Sequence, residues 1–291
     1  MSNIAENSNW TWIIRPKKGW FDLELKEVFK HKDLLVRFIR REFLGTYQQT
    51  ILGPVWIFLQ PLLTAFVYIL IFGRVARGAG DGPPDGLPNL IFYLSGIIIW
   101  NFFSESIILT SYTYINNVNI FGKVYFPRII TATAMTLAQF IKFAIQLGLF
   151  LLVYIFFMIK EPGLRPNEWL LLLPIALINT TLLSLGLGIF FASLTAKYRD
   201  LHNLMLFGIR LFMFVTPVLL PMSFFDKHSE WKWIIVINPL TPIIQVFRQG
   251  LGGNAVFDGG LFLYSTIVSI FIFMASVLVF NKIDEKVMDV V

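Results

Sequence analysis

Residues 129–159 read IITATAMTLAQFIKFAIQLGLFLLVYIFFMI, and Lys142 carries the one charged side chain of this run. A hydrocarbon layer about 30 Å thick is crossed by about 20 helical residues. Because lipid offers no hydrogen-bonding partners, the backbone of such a run must pair with itself, as it does in a helix. The run therefore predicts a membrane-spanning helix that is longer than a bilayer requires and that tilts or projects beyond it.

Apolar runs of similar length recur along the whole chain. Of the 291 residues, 56% are hydrophobic and 14% are charged, a composition that a soluble fold of this size cannot bury. We therefore expect an all-α integral membrane protein with a transmembrane domain of about six spans over residues 54–280. The spans are expected near residues 54–73, 90–114, 129–159, 169–194, 203–222 and 259–280.

The distribution of basic residues predicts the orientation of the chain. With six spans, fifteen lysines and arginines fall on the side of the N-terminus and seven on the opposite side. Basic residues favour the cytoplasmic side, and the N-terminal region lacks the pattern of a signal peptide. We expect a multi-pass protein of the inner membrane with both termini, including a tail of residues 281–291, in the cytoplasm. The asymmetry also favours a membrane over nucleic acid as the reason for the net charge of +6.

The region before the first span, residues 1–53, carries an amphipathic pattern. Between Phe21 and Leu44 apolar residues recur at helical spacing with basic residues between them. This pattern predicts a helix, broken near Asp33, that either lies along the inner membrane surface or packs as a solvated helix on its own protein. Gly53 and Pro54 then break the chain, and Trp56 lies where an interfacial aromatic residue would anchor the first span.

Residues 223–258, between the fifth and sixth predicted spans, contain the short apolar stretch Trp231 to Ile237, which Asn238 and Pro239 close. This stretch is too short to cross a bilayer. We therefore expect re-entrant or interfacial helices on the outer side, in a position to form a lid.

The sequence contains no evident catalytic constellation: no glycine-rich phosphate loop, no zinc-binding helix and no serine elbow. It has no cysteine and three scattered histidines, so neither a disulfide nor a metal site is expected. Gly186 and Gly188 lie in an apolar span, where we expect close helix packing rather than phosphate binding. We expect no enzyme activity and no cofactor in this chain; ATP and magnesium would be bound by another subunit.

Charged residues inside membrane spans are costly and usually face a partner or a watery cavity. Three such residues occur here, Glu105, Lys142 and Arg210. Gln139 and Gln146 extend Lys142 into a polar stripe along the third span. Glu105 and Lys142 either neutralise each other across a helix contact or line a path, and the sequence leaves both open. Arg210 has no evident partner in its span, so it is the better candidate to meet an anionic substrate.

Aromatic side chains are frequent in the first and fifth predicted spans. Because aromatic faces stack on sugar rings, two such helices would form a low-specificity path for a glycan; the alternative is that these side chains pack in the protein or face lipid. The residues are Trp56, Phe58, Phe66, Tyr68 and Phe72 in the first span, and Phe207, Phe212 and Phe214 in the fifth.

A set of short motifs occurs in a fixed order between residues 35 and 250. The motifs are TILGPVW at residues 50–56, LQPL at 59–62, KVYFPR at 123–128, YRD at 198–200, TPV at 216–218, and NPLTP at 238–242 with Arg248. The set resembles the ABC type 2 permeases that export polysaccharides, O-antigens and teichoic acids. Thr46 stands where that family often has an arginine, and Gly122 where a second lysine is common. Arg40 and Arg41 would supply the charge missing near Thr46.

The resemblance implies a homodimer of this chain that associates with two copies of a separate nucleotide-binding subunit. It also implies a substrate, namely a glycan of the O-antigen, capsule or teichoic acid type carried on an undecaprenyl diphosphate-type lipid.

Together with the charge pattern, the resemblance assigns four groups of site residues. The first group would couple the chain to the ATPase and comprises Phe121, Lys123, Tyr125, Phe126, Pro127 and Arg128. Its aromatic members would fit into a groove of the ATPase subunit. The second cytoplasmic loop adds Tyr198, Arg199 and Asp200. Access of the lipid diphosphate falls to Arg40, Arg41 and Tyr47. The polar or channel residues are Glu105, Lys142, Arg210, Trp56, Phe58 and Phe212, and the outer gate comprises Asn238, Pro239 and Arg248.

Three other functions stay open at this point. A secondary transporter is one of them, although its usual broken central helices and internal inverted repeat are not evident. An ABC type 2 permease for a small drug or lipid would share the same topology. A membrane-embedded glycosyltransferase or acyltransferase would need a histidine or acidic constellation, whereas His31, His202 and His228 are scattered without paired acids.

Overall fold

The structure is a computed structural model that describes residues 31–48, 52–77, 84–121, 126–161, 163–198, 200–227, 229–255 and 257–287. The first part of the predicted amphipathic helix, residues 21–30, lies outside the described residues, as do Lys123, Tyr125 and Arg199. The regular secondary structure of the described ranges is helical.

The helices are numbered in chain order. They are α1 (Lys32–Tyr47), α2 (Val55–Arg77), α3 (Asn89–Ser111), α4 (Thr113–Phe121), α5 (Ile129–Lys160), α6 (Leu173–Lys197), α7 (Leu201–Phe212), α8 (Met222–Lys227), α9 (Ser229–Ile237), α10 (Leu240–Gly250) and α11 (Gly259–Val287). Short 3-10 turns occupy Pro84–Gly86, Glu168–Leu172 and Met213–Val215.

Five described helices, α2, α3, α5, α6 and α11, are long and apolar enough to cross a membrane. The predicted all-α integral membrane fold is therefore confirmed. The long third span is also formed as predicted, since α5 is one continuous helix of 32 residues.

The fifth predicted span, residues 203–222, takes a different form. α7 has 12 residues, and after a 3-10 turn the chain becomes extended at Thr216. One end of this segment contacts Tyr112 through His202, and the other brings Val218 beside Gly96. Tyr112 and Gly96 are about 24 Å apart along α3, because a helix rises about 1.5 Å per residue. The segment thus follows most of a span without being a long helix.

The centre of the bundle is α3. In the most apolar stretch of α3, 83% of the residues are buried inside the protein, whereas the share is 17–39% in the other four long helices. It packs on α2, α5 and α6, and α6 in turn packs on α11. A Cβ atom at Gly186 would lie 2.8 Å from Phe273 Cα, and one at Gly188 would lie 2.6 Å from Thr110 Cβ. These two glycines permit close helix contacts, as predicted.

The first third of α5 is covered by α1 rather than exposed. Phe38 of α1 forms a buried cluster with Phe126, Ile130 and Ala134. Exposed apolar side chains on α5 begin at Phe140. About 30 Å of helix measured back from Lys160 ends near Ile141. A helix of this length either tilts within a hydrocarbon layer or projects beyond it, and α1 packs against its start.

The bundle has two distinct ends. One end, called here the α4 end, holds α4, the starts of α5 and α7, and the ends of α6 and α11. The other, called the α10 end, holds α8, α9 and α10. α10 is too short to cross a bilayer and is buried at nearly every residue, as expected for irregular or short elements at membrane depth.

Candidate translocation groove and its two ends

A groove of about 360 Å³ lies between α2, α3 and α7. Tyr68 and Phe72 of α2 form one wall, and Arg210 and Phe214 line the opposite side. The floor is α3, where Trp100, Ser104 and Ile108 follow one another at intervals of one helical turn and so share a face.

Aromatic contacts hold the walls of the groove in place. The Tyr68 hydroxyl donates to Met213 Sδ at 3.4 Å, which joins α2 to the end of α7. Phe212 packs behind the groove, with its ring centroid 6.2 Å from that of Trp100. Of the predicted path residues, Arg210 lines the groove and Phe212 packs behind it. Trp56 and Phe58 lie in the first turn of α2, away from the groove.

Arg210 is the charged residue of this groove. Arg210 is exposed, and it forms no ion pair within the described part of the chain. A guanidinium beside aromatic faces can bind an anionic group by bidentate hydrogen bonds. The groove thus offers one anion-binding point on a mostly apolar surface that includes the aromatic side chains Tyr68, Phe72, Trp100 and Phe214.

The other two intramembrane charges form an ion pair away from the groove. Lys142 Nζ of α5 lies 2.5 Å from Glu105 Oε2 of α3, and their side chains are 15% and 27% exposed. The pair lines a second cavity, between α1, α3 and α5. The two residues therefore neutralise each other across a helix contact, which was one of the two alternatives left by the sequence.

At the α4 end, aromatic rings connect three helices inside the chain. Phe126 is 6% exposed and packs between Phe38 of α1 and Phe121 of α4, with ring centroids 5.7 and 5.6 Å away. Tyr114 continues the contact from Phe121 to Phe280 of α11. Phe121 and Phe126 thus lie against their own chain, and Pro127 follows in the turn that starts α5.

Charged residues of the α4 end are held by this aromatic cluster. The Arg128 guanidinium lies over the Phe121 and Tyr114 rings, at 5.2 and 5.7 Å. Arg41 lies over Phe38 and donates to Asn117 Oδ1 at 2.8 Å. These contacts fix the direction of both guanidinium groups.

Arg40, Tyr198 and Asp200 of this end are exposed. Arg40 lies exposed on α1, and Tyr47 is the last residue of that helix. Tyr198 is 55% exposed, and Asp200 is exposed just before α7. The sequence did not reveal one further contact at this end. The ring centroids of Tyr112, just after α3, and His202, at the start of α7, are 3.6 Å apart.

At the α10 end, Arg248 is fully buried and acts as a clamp. Its guanidinium donates to the carbonyls of Pro217, Phe92 and Val218 at 2.5, 3.2 and 3.3 Å. It also lies 3.6 Å from Asp85 Oδ2, and burial raises the pKa of Asp85 while Arg248 opposes that rise. One side chain therefore ties α10 to α3, to the segment after α7 and to the loop before α3.

Asn238 and Pro239 make further ties at this end. Asn238 Nδ2 donates to the Val215 carbonyl at 2.8 Å, and its Oδ1 accepts from the Leu240 backbone at 2.9 Å. The Pro239 carbonyl accepts from Ser265 of α11 at 2.6 Å. The three predicted gate residues are therefore all joined to neighbouring elements.

The residues that sequence reasoning missed are the floor of the groove and the partner of Arg248. Trp100 and Ser104 gave no signal because the polar and apolar residues of α3 are not separated onto different faces. Asp85 lies in a glycine- and proline-rich loop, and 163 positions separate it from Arg248, so no local pattern connects the two.

Long apolar helices packed in a bundle, a short buried helix at one end and a groove between the helices are features of an integral membrane permease. The chain belongs to the ABC-2 type transporter family, whose model matches residues 34–252. It is thus a multi-pass membrane protein and the transmembrane subunit of an ABC transporter.

Curated relatives cover nearly the whole chain. The chain is 27% identical over 259 residues to a Klebsiella pneumoniae protein named O-antigen export system permease protein RfbA, covering 87% of this chain and 93% of the relative. A Myxococcus xanthus protein of the same name is 24% identical over 263 residues, covering 90% and 96%. The resemblance inferred from the motifs is confirmed.

Proposed function

We propose that this chain exports a lipid-linked polysaccharide of the O-antigen type across the bacterial inner membrane, driven by ATP hydrolysis on a separate subunit. The observation that carries the proposal is the groove between α2, α3 and α7, with aromatic walls and one arginine, in a chain that matches O-antigen export permeases over nearly its full length.

The chemistry of the groove suits such a substrate. Sugar rings stack on aromatic faces such as Tyr68 and Trp100 without strict sequence preference. The diphosphate of a lipid carrier would meet Arg210, which is able to bind two of its oxygens. A permease for a small drug or lipid is the alternative, and the names of the curated relatives favour the polysaccharide.

A second copy of the chain would close the groove. α2 exposes an apolar face beside it with Leu63, Phe66 and Leu70. α7 and the 3-10 turn after it expose another with Phe207, Leu211 and Phe214. Each relevant side chain is more than half exposed. A homodimer in which these faces meet would turn an open groove into an enclosed path.

The α4 end faces the cytoplasm in this proposal, in agreement with the excess of basic residues on that side. ATP and magnesium would bind to two copies of an ATPase subunit that contact this end. The exposed residues available for the contact include Ile115, Asn116, Tyr198 and Asp200. Motion of α4 would reach α1 through Phe121 and Phe126, because these rings pack in series.

The lipid carrier would reach the groove past α1. Arg40 is exposed, and a basic residue near an anionic membrane surface contributes about 1 kcal/mol of attraction. Arg41 is directed toward Asn117 and so is less free to follow a headgroup. At the opposite end, α10 with Asn238, Pro239 and Arg248 would move as one block with α3, because Arg248 joins them.

The test is an export assay in cells that depend on this chain for surface polysaccharide. We expect Arg210→Met to leave the abundance of the chain unchanged, to lower surface polysaccharide at least tenfold and to accumulate lipid-linked glycan inside. Arg210→Lys should retain part of the export. Lys160→Met is the control, because Lys160 is exposed at the end of α5 and does not line the groove, and it should behave as wild type. Normal export by Arg210→Met at normal abundance would contradict the assignment.

A further inference from the structure

The second cavity, of about 240 Å³, lies between α1, α3 and α5, on the other side of α3 from the groove described above, with Ile108 at the boundary of both. Its apolar lining comes from Phe43 of α1, Ile108 and Leu109 of α3, and Ala138 of α5. Its polar lining comes from Glu42, Thr46, Glu105, Gln139 and Lys142. The cavity is thus a mixed site that three helices share.

Two polar groups in this cavity lack partners within the described residues. The Glu42 carboxylate makes neither an ion pair nor a hydrogen bond there, although its backbone carbonyl accepts from Thr46. Gln139 is 8% exposed and lines the cavity without any hydrogen bond to the described chain. Glu42 is partly buried and Gln139 is more than nine-tenths buried beside an apolar lining, so a ligand in the cavity would supply hydrogen bonds to both that the described chain does not supply.

The charges of the cavity specify the sign of that ligand. Lys142 is matched by Glu105, which leaves the charge of Glu42 unmatched beside an apolar lining. An isolated charge in such a place is costly unless an opposite charge meets it. The site therefore favours an ammonium group over a purely anionic one.

The position of the cavity specifies where that ammonium group comes from. Lys142 lies about 27 Å along α5 from Lys160, close to the thickness of the hydrocarbon layer. Phe140 and Ile141, beside it on α5, begin the exposed apolar face of that helix. The cavity therefore lies at the level of lipid headgroups, with a surface for acyl chains next to it.

We propose that this cavity binds the phosphoethanolamine headgroup of a membrane phospholipid. The ammonium group donates to the Glu42 carboxylate and to Gln139 Oε1, and the phosphate accepts from Lys142 Nζ. The acyl chains lie along the Phe140 and Ile141 side of α5. Because its walls come from α1, α3 and α5, a bound lipid fastens α1 to the bundle.

The charges also explain why other headgroups fit less well. A phosphatidylglycerol headgroup brings no cation, so it leaves Glu42 unmatched and adds a negative charge beside it. A choline headgroup brings a cation that cannot donate hydrogen bonds to Glu42 or Gln139. The site therefore distinguishes lipids by the number of hydrogens on the headgroup nitrogen.

The experiment is lipid titration of the purified full-length chain, followed by native mass spectrometry, with phosphatidylethanolamine, phosphatidylcholine and phosphatidylglycerol of identical acyl chains. Hydrogen bonds to charged groups imply that phosphatidylethanolamine binds about tenfold more tightly than the other two. Glu42→Gln should remove most of that preference, and Gln139→Leu a smaller part. Asp33→Asn is the matched control, because Asp33 is exposed on the same helix and outside the cavity.

A second measurement needs no variant. Stepwise N-methylation of phosphatidylethanolamine should weaken binding to the wild-type chain at each step, because each methyl group removes one donor. Equal affinity for the whole methylation series, a preference for phosphatidylglycerol, or equal effects of Asp33→Asn and Glu42→Gln would each overturn the proposal. Both experiments measure binding alone, so their outcome is independent of which substrate the chain exports.

Discussion

Gln146 of α5 supplies a hydrogen bond that Pro61 removes from α2. Its Nε2 donates to the carbonyl of Ile57 at 3.3 Å, and Ile57 lies four residues before Pro61. Proline has no backbone N–H, so the carbonyl four residues earlier loses its helical partner. Ile57 is 1% exposed and Gln146 is 3% exposed, so water does not replace that partner. One side chain of α5 thus allows a proline inside the first span.

The first prediction follows from this pair. Gln146→Leu should lower the apparent Tm of the purified chain, because it leaves a buried carbonyl unpaired at a cost of about 1–3 kcal/mol. The loss should be smaller in Gln146→Leu with Pro61→Ala, since alanine restores the helical hydrogen bond. The measurement is thermal unfolding in detergent, with Pro61→Ala alone as the reference. Equal losses with and without Pro61→Ala would show that the amide serves another purpose.

The α-helical spans were predictable because membrane-spanning segments are recognisable in a sequence as long apolar runs. α5 illustrates this, since its long apolar run, with Lys142 as the one charged residue, predicted the length of the helix. The form of α7 was not predictable. Pro217 was visible, but prolines are tolerated in membrane helices, so the pattern did not show that the chain becomes extended at Thr216.

The second prediction concerns the ion pair of α3 and α5. Lys142→Met or Glu105→Leu alone should destabilise the folded chain by roughly 1–3 kcal/mol, because each leaves a partly buried charge without its partner. The double variant should recover much of that loss, since two apolar side chains can pack there. Thermal unfolding in lipid-free detergent measures all three variants. Additive losses in the double variant would argue against a pair that acts mainly on stability.

The third prediction concerns the Arg248 clamp. Arg248→Met should lower the yield of folded chain severely, because it leaves three backbone carbonyls and Asp85 without their buried partner. Arg248→Lys should rescue little, since an ammonium group cannot reach all these acceptors in the plane of a guanidinium. Size-exclusion chromatography of tagged protein measures the yield.

Asp85→Asn provides the internal comparison for the clamp. It should cost much less than Arg248→Met, because the guanidinium keeps its carbonyl acceptors when the carboxylate becomes an amide. A loss as large as that of Arg248→Met would mean that the ion pair, rather than the carbonyls, holds the α10 end together.

The candidate site was less predictable than the fold because its contacts join distant parts of the sequence. Helical spacing placed Gln139, Lys142 and Gln146 on one stripe, but it could not show that Lys142 pairs with Glu105 of α3 and Gln146 with the Ile57 carbonyl of α2. Aromatic residues also look alike whether they bind a partner or a neighbour. Phe126 fitted a docking contact by its motif, and the structure packs it against Phe38 instead.

The last prediction separates stability from coupling at the α4 end. Phe126→Ala should lower abundance, because it empties a ring-sized space in a buried cluster at a cost of about 3–5 kcal/mol. Tyr198→Ala should leave abundance unchanged, because that side chain is 55% exposed, yet it should lower the amount of ATPase subunit that copurifies. Tagged chain is measured by fluorescence-detected chromatography, and bound ATPase by quantitative immunoblot of the same fractions. The opposite result would be that Tyr198→Ala still copurifies with the ATPase subunit, whereas Phe126→Ala stays abundant and no longer copurifies with that subunit. In that case the aromatic residues of the loop before α5 form the contact surface, and the buried cluster rearranges when the ATPase binds.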